Sequence, residues 1–253
     1  MMDMSNSKVT IITPCYNSNQ YIYETVHSVL KQTYTDWELL ITDDCSTDNT
    51  WNIINDFSKK DRRIKIYKLS ENSGAGAARN NSIKHATGRF IAFCDSDDQW
   101  MPDKLEKQIK FMLENDLALS FSSYEVIDEE GNNVGQVKAL PKVSYKTMLK
   151  NNYIGCLTAI YDSEKIGKVY MPEVRKRQDW ALWLKILKQI PFALSIQENL
   201  AIYRDRSQSI SSRKIDLIKY NWNIYRNIEK YSRVSSTFLI IQFLFFYIKK
   251  KLI

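Results

Sequence analysis

The chain has 253 residues, of which 44% are hydrophobic, so it can bury the core of one large domain or of one domain followed by a tail. Its four cysteines are widely spaced and form no C-x-x-C pair, which argues against both a zinc site and a disulfide framework. There are only two histidines, both within predicted helices, which disfavours a histidine metal site and a Ser-His-Asp triad.

The net charge of +7 is concentrated near the C-terminus. Residues 204–253 contain eleven Lys or Arg and three Asp or Glu, whereas the first 203 residues contain twenty-five and twenty-six. A basic tail suits either an anionic membrane or nucleic acid. The polar stretch Met1–Lys8 lacks the apolar segment of a signal peptide, so we expect the protein to remain in the cytoplasm.

Apolar, β-branched runs alternate with helical patterns in the first hundred residues. The runs predict strands at Val9–Thr13, Trp37–Thr42, Ile64–Tyr67 and Phe90–Cys94. Between them, helical patterns cover about Gln20–Gln32, the residues after Asp48, and the residues from a glycine-bearing loop through His85. This alternation is typical of βαβ units, so we predict an α/β fold with a mostly parallel sheet and right-handed crossovers.

Polar loops follow each of these predicted strands. The loops are Pro14–Tyr16, Asp43–Asp44, Asn72–Arg79 and Asp95–Asp98. Because ligands of such sheets bind at the carboxyl ends of the strands, we expect the loops to converge on one crevice. A dinucleotide-binding dehydrogenase is disfavoured, since the loop after the first strand has no glycine.

The run from Ile91 to Cys94 ends abruptly in Asp95, Asp97 and Asp98. Burying adjacent carboxylates is costly unless a cation compensates them, and Mg²⁺ or Mn²⁺ prefers oxygen ligands together with substrate phosphate. The alternative is an exposed acidic turn that caps the helix from Asp103 onward. The motif taken alone does not decide between these interpretations.

In the second half of the chain, predicted strands and helices no longer alternate regularly. A helix carrying Leu105, Ile109 and Met112 precedes a predicted strand at Leu117–Phe121, and a turn is predicted at residues 128–132. A later amphipathic helix opens near Arg175–Arg177 and has Trp180, Leu184 and Leu187 on its inward face. Asp179 lies in its first turn, where its role is either functional or that of a helix cap.

Two helices are predicted in the last fifty residues. The second, Phe238–Ile248, is followed by Lys249–Lys251, and its eleven residues would reach only about 16 Å, too short to span a bilayer. It could lie in the membrane interface, or pack on the domain or on a second copy of the chain. Nucleic acid is disfavoured because the apolar run is continuous.

Taken together, these motifs resemble the family-2 inverting glycosyltransferases of the GT-A fold, in particular bacterial enzymes of the teichuronic acid and O-antigen type. The resemblance covers residues 8 to about 210. It rests on ordered blocks at Val9–Asn17, Gln32–Tyr34, Trp37–Asp48, Asn72–Asn80, Asp95–Asp98, Gln178–Trp180 and Tyr203–Ser212.

The resemblance implies a role for each block. Pro14, Tyr16 and Asp44 would hold the uracil and ribose of a UDP-sugar, with Asn72 and Arg79 nearby. Further residues are implied in the acidic block: Asp95 and Ser96 as nucleotide-sugar contacts, and Asp95, Asp97 and Asp98 as candidate metal ligands for Mn²⁺ or Mg²⁺. Asp179 would be the general base. The preceding residue is usually Glu in the family, and Gln178 departs from that pattern.

The implied activity is metal-dependent transfer of a hexose, from UDP-glucose or UDP-galactose, to a lipid-diphosphate-linked sugar with formation of a β-linkage. The alternative is a non-catalytic binding module of a polysaccharide assembly complex. We expect a GT-A domain at 1–212, with a nucleotide-sugar half at 8–115 and an acceptor half at 116–212. A basic helical tail at 213–253 would bind the inner face of the plasma membrane through 237–251, or form a homodimer.

Overall fold

The computed structural model describes residues 7–174, 176–206 and 214–251. The Ser209–Ser212 block, the predicted boundary at 212/213 and the start of the predicted helix at Arg175 lie outside these residues. The strands are β1 (Val9–Cys15), β2 (Trp37–Asp43), β3 (Ile64–Lys68), β4 (Phe90–Phe93), β5 (Gln99–Trp100), β6 (Leu119–Ile127), β7 (Asn133–Val137), β8 (Lys142–Val143), β9 (Ile160–Asp162) and β10 (Ala193–Arg204).

Helices flank this sheet on both faces. They are α1 (Ile22–Leu30), α2 (Thr50–Lys60), α3 (Ala75–His85), α4 (Lys104–Glu114), α5 (Tyr145–Met148), α6 (Ser163–Ile166), α7 (Gln178–Leu187), α8 (Lys214–Asn223) and α9 (Arg233–Lys251). A short 3₁₀ helix spans Cys156–Thr158, and a π-helical turn at Ile224–Ile228 continues α8.

The strands form one mixed sheet in the order β3-β2-β1-β4-β9-β6-β10-β5. The first four strands run parallel, as the βαβ pattern predicted. Strand β9 lies antiparallel between β4 and β6, and β6 is again parallel to β10. The predicted mostly parallel α/β architecture is therefore confirmed, and β10 joins the second half of the chain to the same sheet.

Alternating side chains of the central strands divide the core into two layers. In β1, Ile11 packs with α1, α2 and α4, whereas Ile12 faces α3 and α7 on the opposite side. The predicted inward face of α4 is confirmed, because Leu105, Ile109 and Met112 are buried. Strands β1 and β2 are buried along their whole length, which explains their continuous apolar runs.

Helix α7 is buried more completely than its sequence pattern predicted. The predicted inward residues Trp180, Leu184 and Leu187 are buried, and Trp183, which was not among them, is as buried as Trp180. Both sides of the helix are covered: the Trp183 ring packs against Phe93 of β4 with centroids 5.7 Å apart, whereas the Trp180 ring packs against Tyr225 of the C-terminal helices at 5.5 Å. The Tyr225 hydroxyl donates to the Leu149 carbonyl at 2.5 Å. The tail is therefore packed on the helix that carries Asp179.

Helix α9 is longer than predicted. It has nineteen residues and spans about 28 Å, because it begins at Arg233 instead of Phe238 and ends at Lys251 instead of Ile248. Its polar first turn follows Ser232, whose Oγ accepts the Ser235 N–H at 3.1 Å. Sequence periodicity missed this turn because it contains a single apolar residue. Within the described part of the chain, no helix combines the length and apolar character needed to cross a membrane.

Candidate active site

The loops after β1, β2 and β4 are tied to one another by side-chain hydrogen bonds. The hydroxyl oxygens of Ser18 and Ser96 lie 2.8 Å apart, which joins the first loop to the acidic loop. Asn17 accepts the Thr47 N–H at 2.9 Å, which joins the first loop to the second. These bonds hold the loops at the carboxyl edge of the sheet, where the sequence predicted a crevice.

The backbone is strained at three positions around this crevice. Asn17, Cys45 and Arg177 have φ values of 48°, 64° and 64°, in the left-handed region that non-glycine residues rarely adopt. Each costs roughly 1–2 kcal/mol. Such strain persists where surrounding contacts fix the geometry. Here it occurs at the end of the Val9–Asn17 block, within the Trp37–Asp48 block and directly before the Gln178–Trp180 block.

Asp44 organises the loop that opens α3. Its two carboxylate oxygens accept the backbone N–H groups of Ser73 and Gly74, each at 2.7 Å. Asn72 donates its side-chain amide to the Asp44 carbonyl at 3.1 Å. Asp44 is buried, so the structure brings Asp44 and Asn72 together as predicted and gives the carboxylate two partners within the protein.

The residues predicted around the first strand lie in different environments. Pro14 is buried in β1, opposite Thr42 of β2. Tyr16 is 48% exposed and directly follows the carboxyl end of β1. Of the two, Tyr16 offers the accessible ring surface for a base.

Arg79 lies at the centre of the site. Its buried guanidinium donates from Nη2 to Asp95 Oδ1 at 2.6 Å and from Nη1 to Gln178 Oε1 at 3.2 Å. Its Nε has no hydrogen-bond partner within the described residues. Asp95, and more weakly Asp179, raise the pKa of Arg79 against the opposing effect of burial. Arg79 therefore bridges the acidic loop and the first turn of α7.

The three clustered acids have distinct surroundings. Asp95 and Asp97 have side chains 29% and 26% exposed, and Asp97 pairs with Arg206 at 3.0 Å. Asp98 is 3% exposed, and its Oδ1 accepts the Arg204 backbone N–H at 3.1 Å. Burial and then the neighbouring acids raise the pKa values of Asp97 and Asp98.

None of these acids serves as the helix cap of the alternative interpretation. The side chain of Asp103, the N-cap residue of α4, makes no capping hydrogen bond and pairs instead with Lys107 at 2.8 Å. The first turn is capped from elsewhere in the chain by Gln32, whose Oε1 accepts the Leu105 N–H at 3.0 Å. The carboxylates of Asp95 and Asp97 face arginines from elsewhere in the chain. Two neighbouring, partly exposed carboxylates that already face positive charge suit a cation-binding site more than a simple turn.

The donor set fits Mn²⁺ or Mg²⁺ only in part. These ions use one or two carboxylates and complete their shell with water and substrate phosphate, a requirement that Asp95 and Asp97 meet. Across residues 7–174, 176–206 and 214–251 there is no cluster of three or more His, Cys, Asp or Glu arranged for a metal. A site built here would need a phosphate oxygen to complete it.

Sequence reasoning missed Arg204 and Arg206. Arg204 is 4% exposed, donates from Nη2 to Glu24 at 2.6 Å and from Nε to the Asp97 carbonyl at 3.3 Å. Both arginines lie more than a hundred residues from the acidic loop, so no local pattern linked them. The available signal was the end of β10, where Tyr203 and Arg204 already belonged to the resemblance.

A polar cavity of about 480 Å³ lies beside Arg204, between α1 and the β6–β7 hairpin. It is lined by four carboxylates: Glu24, Glu125, Glu129 and Glu130. None of the residues predicted for the site lines it. Two of the predicted residues, Arg79 and Asp95, contact each other outside this cavity.

Asp179 is held by a residue that the sequence did not single out. Its Oδ2 accepts the side-chain amide of Asn152 at 2.8 Å. Within the described part of the chain, no side chain caps the N-terminus of α7, so capping does not account for Asp179. Its neighbour Gln178 contacts Arg79, which places the predicted base beside the acidic loop.

Comparison with known proteins identifies the family. Residues 10–163, more than half of the chain, match the family described as Glycosyl transferase family 2. The chain belongs to glycosyl transferase family 2. The predicted resemblance is confirmed, and this glycosyltransferase is an enzyme instead of the non-catalytic module considered as the alternative.

Two relatives cover nearly all of this glycosyltransferase. A Bacillus subtilis (strain 168) protein named as the teichuronic acid biosynthesis glycosyltransferase TuaG is 44% identical, over 98% of this chain and 100% of its own. An Escherichia coli protein named UDP-Glc:alpha-D-GlcNAc-diphosphoundecaprenol beta-1,3-glucosyltransferase WfgD is 42% identical, over 87% of this chain and 86% of its own.

A solved structure confirms the GT-A fold. S. aureus TarS 1-349 in complex with UDP-GlcNAc superimposes with a TM-score of 0.73 at 23% identity, covering 94% of this chain and 71% of that one. At this identity the likeness establishes the fold alone. The GT-A architecture predicted for this glycosyltransferase is thus confirmed by sequence family and by structure.

Proposed function

We propose that this glycosyltransferase moves a hexose from a UDP-sugar to a lipid-diphosphate-linked sugar, with inversion at the anomeric carbon. One observation supports this most strongly: Arg79 contacts Asp95 on one side and Gln178, the neighbour of Asp179, on the other. Acids for the donor and for the acceptor therefore line one cleft. The name of the E. coli relative, which includes UDP-Glc and diphosphoundecaprenol, supports the same substrate classes and favours UDP-glucose over UDP-galactose.

We assign the donor side to residues 8–115 and the acceptor side to residues 116–212. Tyr16, which is exposed, offers a ring on which uracil can stack, and Asp44 fixes the Asn72–Gly74 loop. Arg79 and Ser96 are placed to contact the diphosphate or the sugar. Arg206, which pairs with Asp97, adds a second positively charged side chain near the diphosphate oxygens.

Asp95 and Asp97 would hold Mn²⁺ or Mg²⁺. Asp98 stays outside this donor set, because it is buried and accepts the Arg204 N–H. When bound, the cation supplies Lewis-acid stabilisation of the negative charge that builds on the diphosphate. Arg79, aligned by Asp95, complements that charge from the protein side.

Asp179 acts as the general base. Asn152 occupies its Oδ2, which leaves Oδ1 to take the proton from the acceptor hydroxyl. General-base help of this kind contributes roughly 10² to 10⁴ in rate. Attack on the face opposite the leaving diphosphate inverts the anomeric centre, so an α-linked donor yields a β-linked product.

We further propose that α9 rests on an anionic membrane. Its exposed apolar stripe consists of Val234, Phe238, Ile241 and Phe245, which are 82%, 59%, 60% and 63% exposed. Their spacing of four, three and four residues places them on one helix face, opposite the buried Phe243. Lys249–Lys251 follow the stripe and suit anionic headgroups. Membrane contact on the cytoplasmic side would bring the cleft to a lipid-linked acceptor.

The test is a transfer assay with UDP-hexoses and an undecaprenyl-diphosphate-linked sugar acceptor. We expect Asp179→Asn to lower kcat by about 10² to 10⁴ while UDP still raises the melting temperature, because the base is removed and the donor side is intact. Asp56→Asn, the same change on the exposed face of α2, should leave transfer unchanged. Normal turnover by Asp179→Asn would overturn the base assignment.

A further inference from the structure

Gln178 uses both ends of its side-chain amide within the protein. Its Oε1 accepts from Arg79 Nη1 at 3.2 Å, and its Nε2 donates to the Val174 carbonyl at 2.7 Å. A carboxylate at this position could accept from Arg79, but it has no hydrogen to give to Val174 at neutral pH. The amide therefore makes a pair of contacts that the Glu usual in the family cannot make.

Helix α3 is shaped to receive this amide. A Cβ atom at Gly76, in the first turn of α3, would lie 2.7 Å from Gln178 Nε2 and 2.8 Å from its Cδ. Real Cβ atoms do not approach other atoms this closely, so a side chain at residue 76 would displace the amide. The absence of a side chain at residue 76 therefore leaves the space that the Gln178 amide occupies.

The contacts of Gln178 connect the two sides of the cleft. Arg79 carries the link onward to Asp95 at 2.6 Å, on the donor side. On the acceptor side, Val174 ends the stretch that Asn80 holds through the Met171 N–H at 2.7 Å. Asp179 follows Gln178 directly in the first turn of α7, so whatever fixes Gln178 also fixes the backbone of Asp179.

We propose that Gln178 is a positioning residue, which fastens Asp179 and the Val174 segment to the Arg79–Asp95 pair through one uncharged side chain. Its neutrality matters because a carboxylate would compete with Asp95 for Arg79 and would add negative charge beside Asp179. The inference rests on the proposed function for the roles of Asp179 and Asp95. The contacts themselves are independent of those roles.

The first experiment compares Gln178→Glu, Gln178→Met and the control Gln189→Glu, which makes the same change at an exposed position two residues beyond the end of α7. Gln178→Met removes both hydrogen bonds without adding charge, so kcat should fall about tenfold or more with the KM for UDP-hexose unchanged. Gln178→Glu should lower kcat and also raise that KM several-fold. Wild-type kinetics for both variants would overturn the proposal.

The second readout does not need turnover. Hydrogen exchange followed by mass spectrometry should show faster exchange over Met171–Val174 in both Gln178 variants, and wild-type exchange in Gln189→Glu. Unchanged exchange would show that the amide does not hold this segment. If the wild type transferred no hexose, the proposed function would fail while this measurement remained decisive for the positioning role.

A double-mutant cycle with Gly76 tests the link most sharply. Gly76→Ala in the wild type should displace the amide and reproduce the loss of kcat seen in Gln178→Ala. In the Gln178→Ala background the same change has no amide to displace, so it should cost little. Additive losses, with both single effects multiplied in the double variant, would contradict the proposal.

Discussion

Lys104 provides a prediction whose size follows from the structure. It is fully buried in the first turn of α4, where its Nζ donates to Gln108 and to the Thr158 carbonyl at 3.2 Å. Burial lowers the pKa of Lys104 from its ordinary 10.5 to about 7. A folded-state pKa about 3.5 units below the unfolded value corresponds to a folding cost of about 5 kcal/mol when Lys104 is fully protonated.

The sign of the pH dependence follows from proton binding. Between pH 7 and 10.5 the unfolded chain keeps the Lys104 proton and the folded chain loses it, so the cost shrinks as pH rises. From pH 6 to pH 8.5 the contribution of Lys104 to the free energy of unfolding should rise by about 2 kcal/mol. Burial raises the pKa values of Cys15, Cys94 and Cys156, which opposes this trend above about pH 8.5.

Denaturant unfolding of the wild type and of Lys104→Met separates these effects. The methionine keeps the volume without a titratable group, and Gln108 still donates to Thr158 at 2.9 Å. From pH 6 to pH 8.5 the free energy of unfolding of the wild type should rise by about 2 kcal/mol relative to that of Lys104→Met. Lys110→Met, on the exposed face of α4, is the control. A difference independent of pH would refute the reasoning.

Three further predictions concern the site and the tail. Asn152→Ala removes the hydrogen bond that holds Asp179, so kcat should fall about tenfold to a hundredfold while the UDP affinity measured by calorimetry stays unchanged. Equal losses of kcat and of UDP affinity would contradict this prediction. Asp97→Asn should weaken UDP binding in Mn²⁺ but not in EDTA, whereas a loss in both conditions would remove its metal role. Replacing Phe238 and Phe245 by Ser should release the protein from anionic vesicles, with exposed Tyr23→Ser as control. Retained vesicle binding would contradict the membrane proposal. If the substitutions instead dissociated a dimer of the wild type, the exposed stripe of α9 would be a dimer interface.

Much of the fold was predictable because the determining signals are local. The β-branched runs of β1 and β2 are buried on both faces, and the apolar spacing of α4 matches its buried side. What failed required tertiary information. The apolar spacing that marks Trp180, Leu184 and Leu187 does not reveal that Trp183 is buried too, against Phe93 of β4. The polar first turn of α9 has no apolar period to reveal it.

The candidate site shows the same contrast between residues marked by local sequence signals and residues that only tertiary contacts reveal. Asp95, Asp97 and Asp179 stand out because carboxylates follow strands or open a helix, and the order of the blocks points to the family. Arg206 and Asn152 could not be found, because their partners lie 109 and 27 residues away and neither belongs to a pattern. The sequence showed Gln178 as a departure from the family pattern, but its hydrogen bonds with Arg79 and Val174 could be found only in the structure.

The central claim is that the acidic loop and Asp179 serve a single donor and acceptor site joined by Arg79. Anomalous diffraction from crystals of this glycosyltransferase soaked with Mn²⁺ and a UDP-hexose tests it most directly. The account predicts a manganese peak at Asp95 and Asp97, with the anomeric carbon facing Asp179. Manganese or nucleotide in the cavity beside Glu24 and Arg204, with the Arg79 cleft empty, would contradict it.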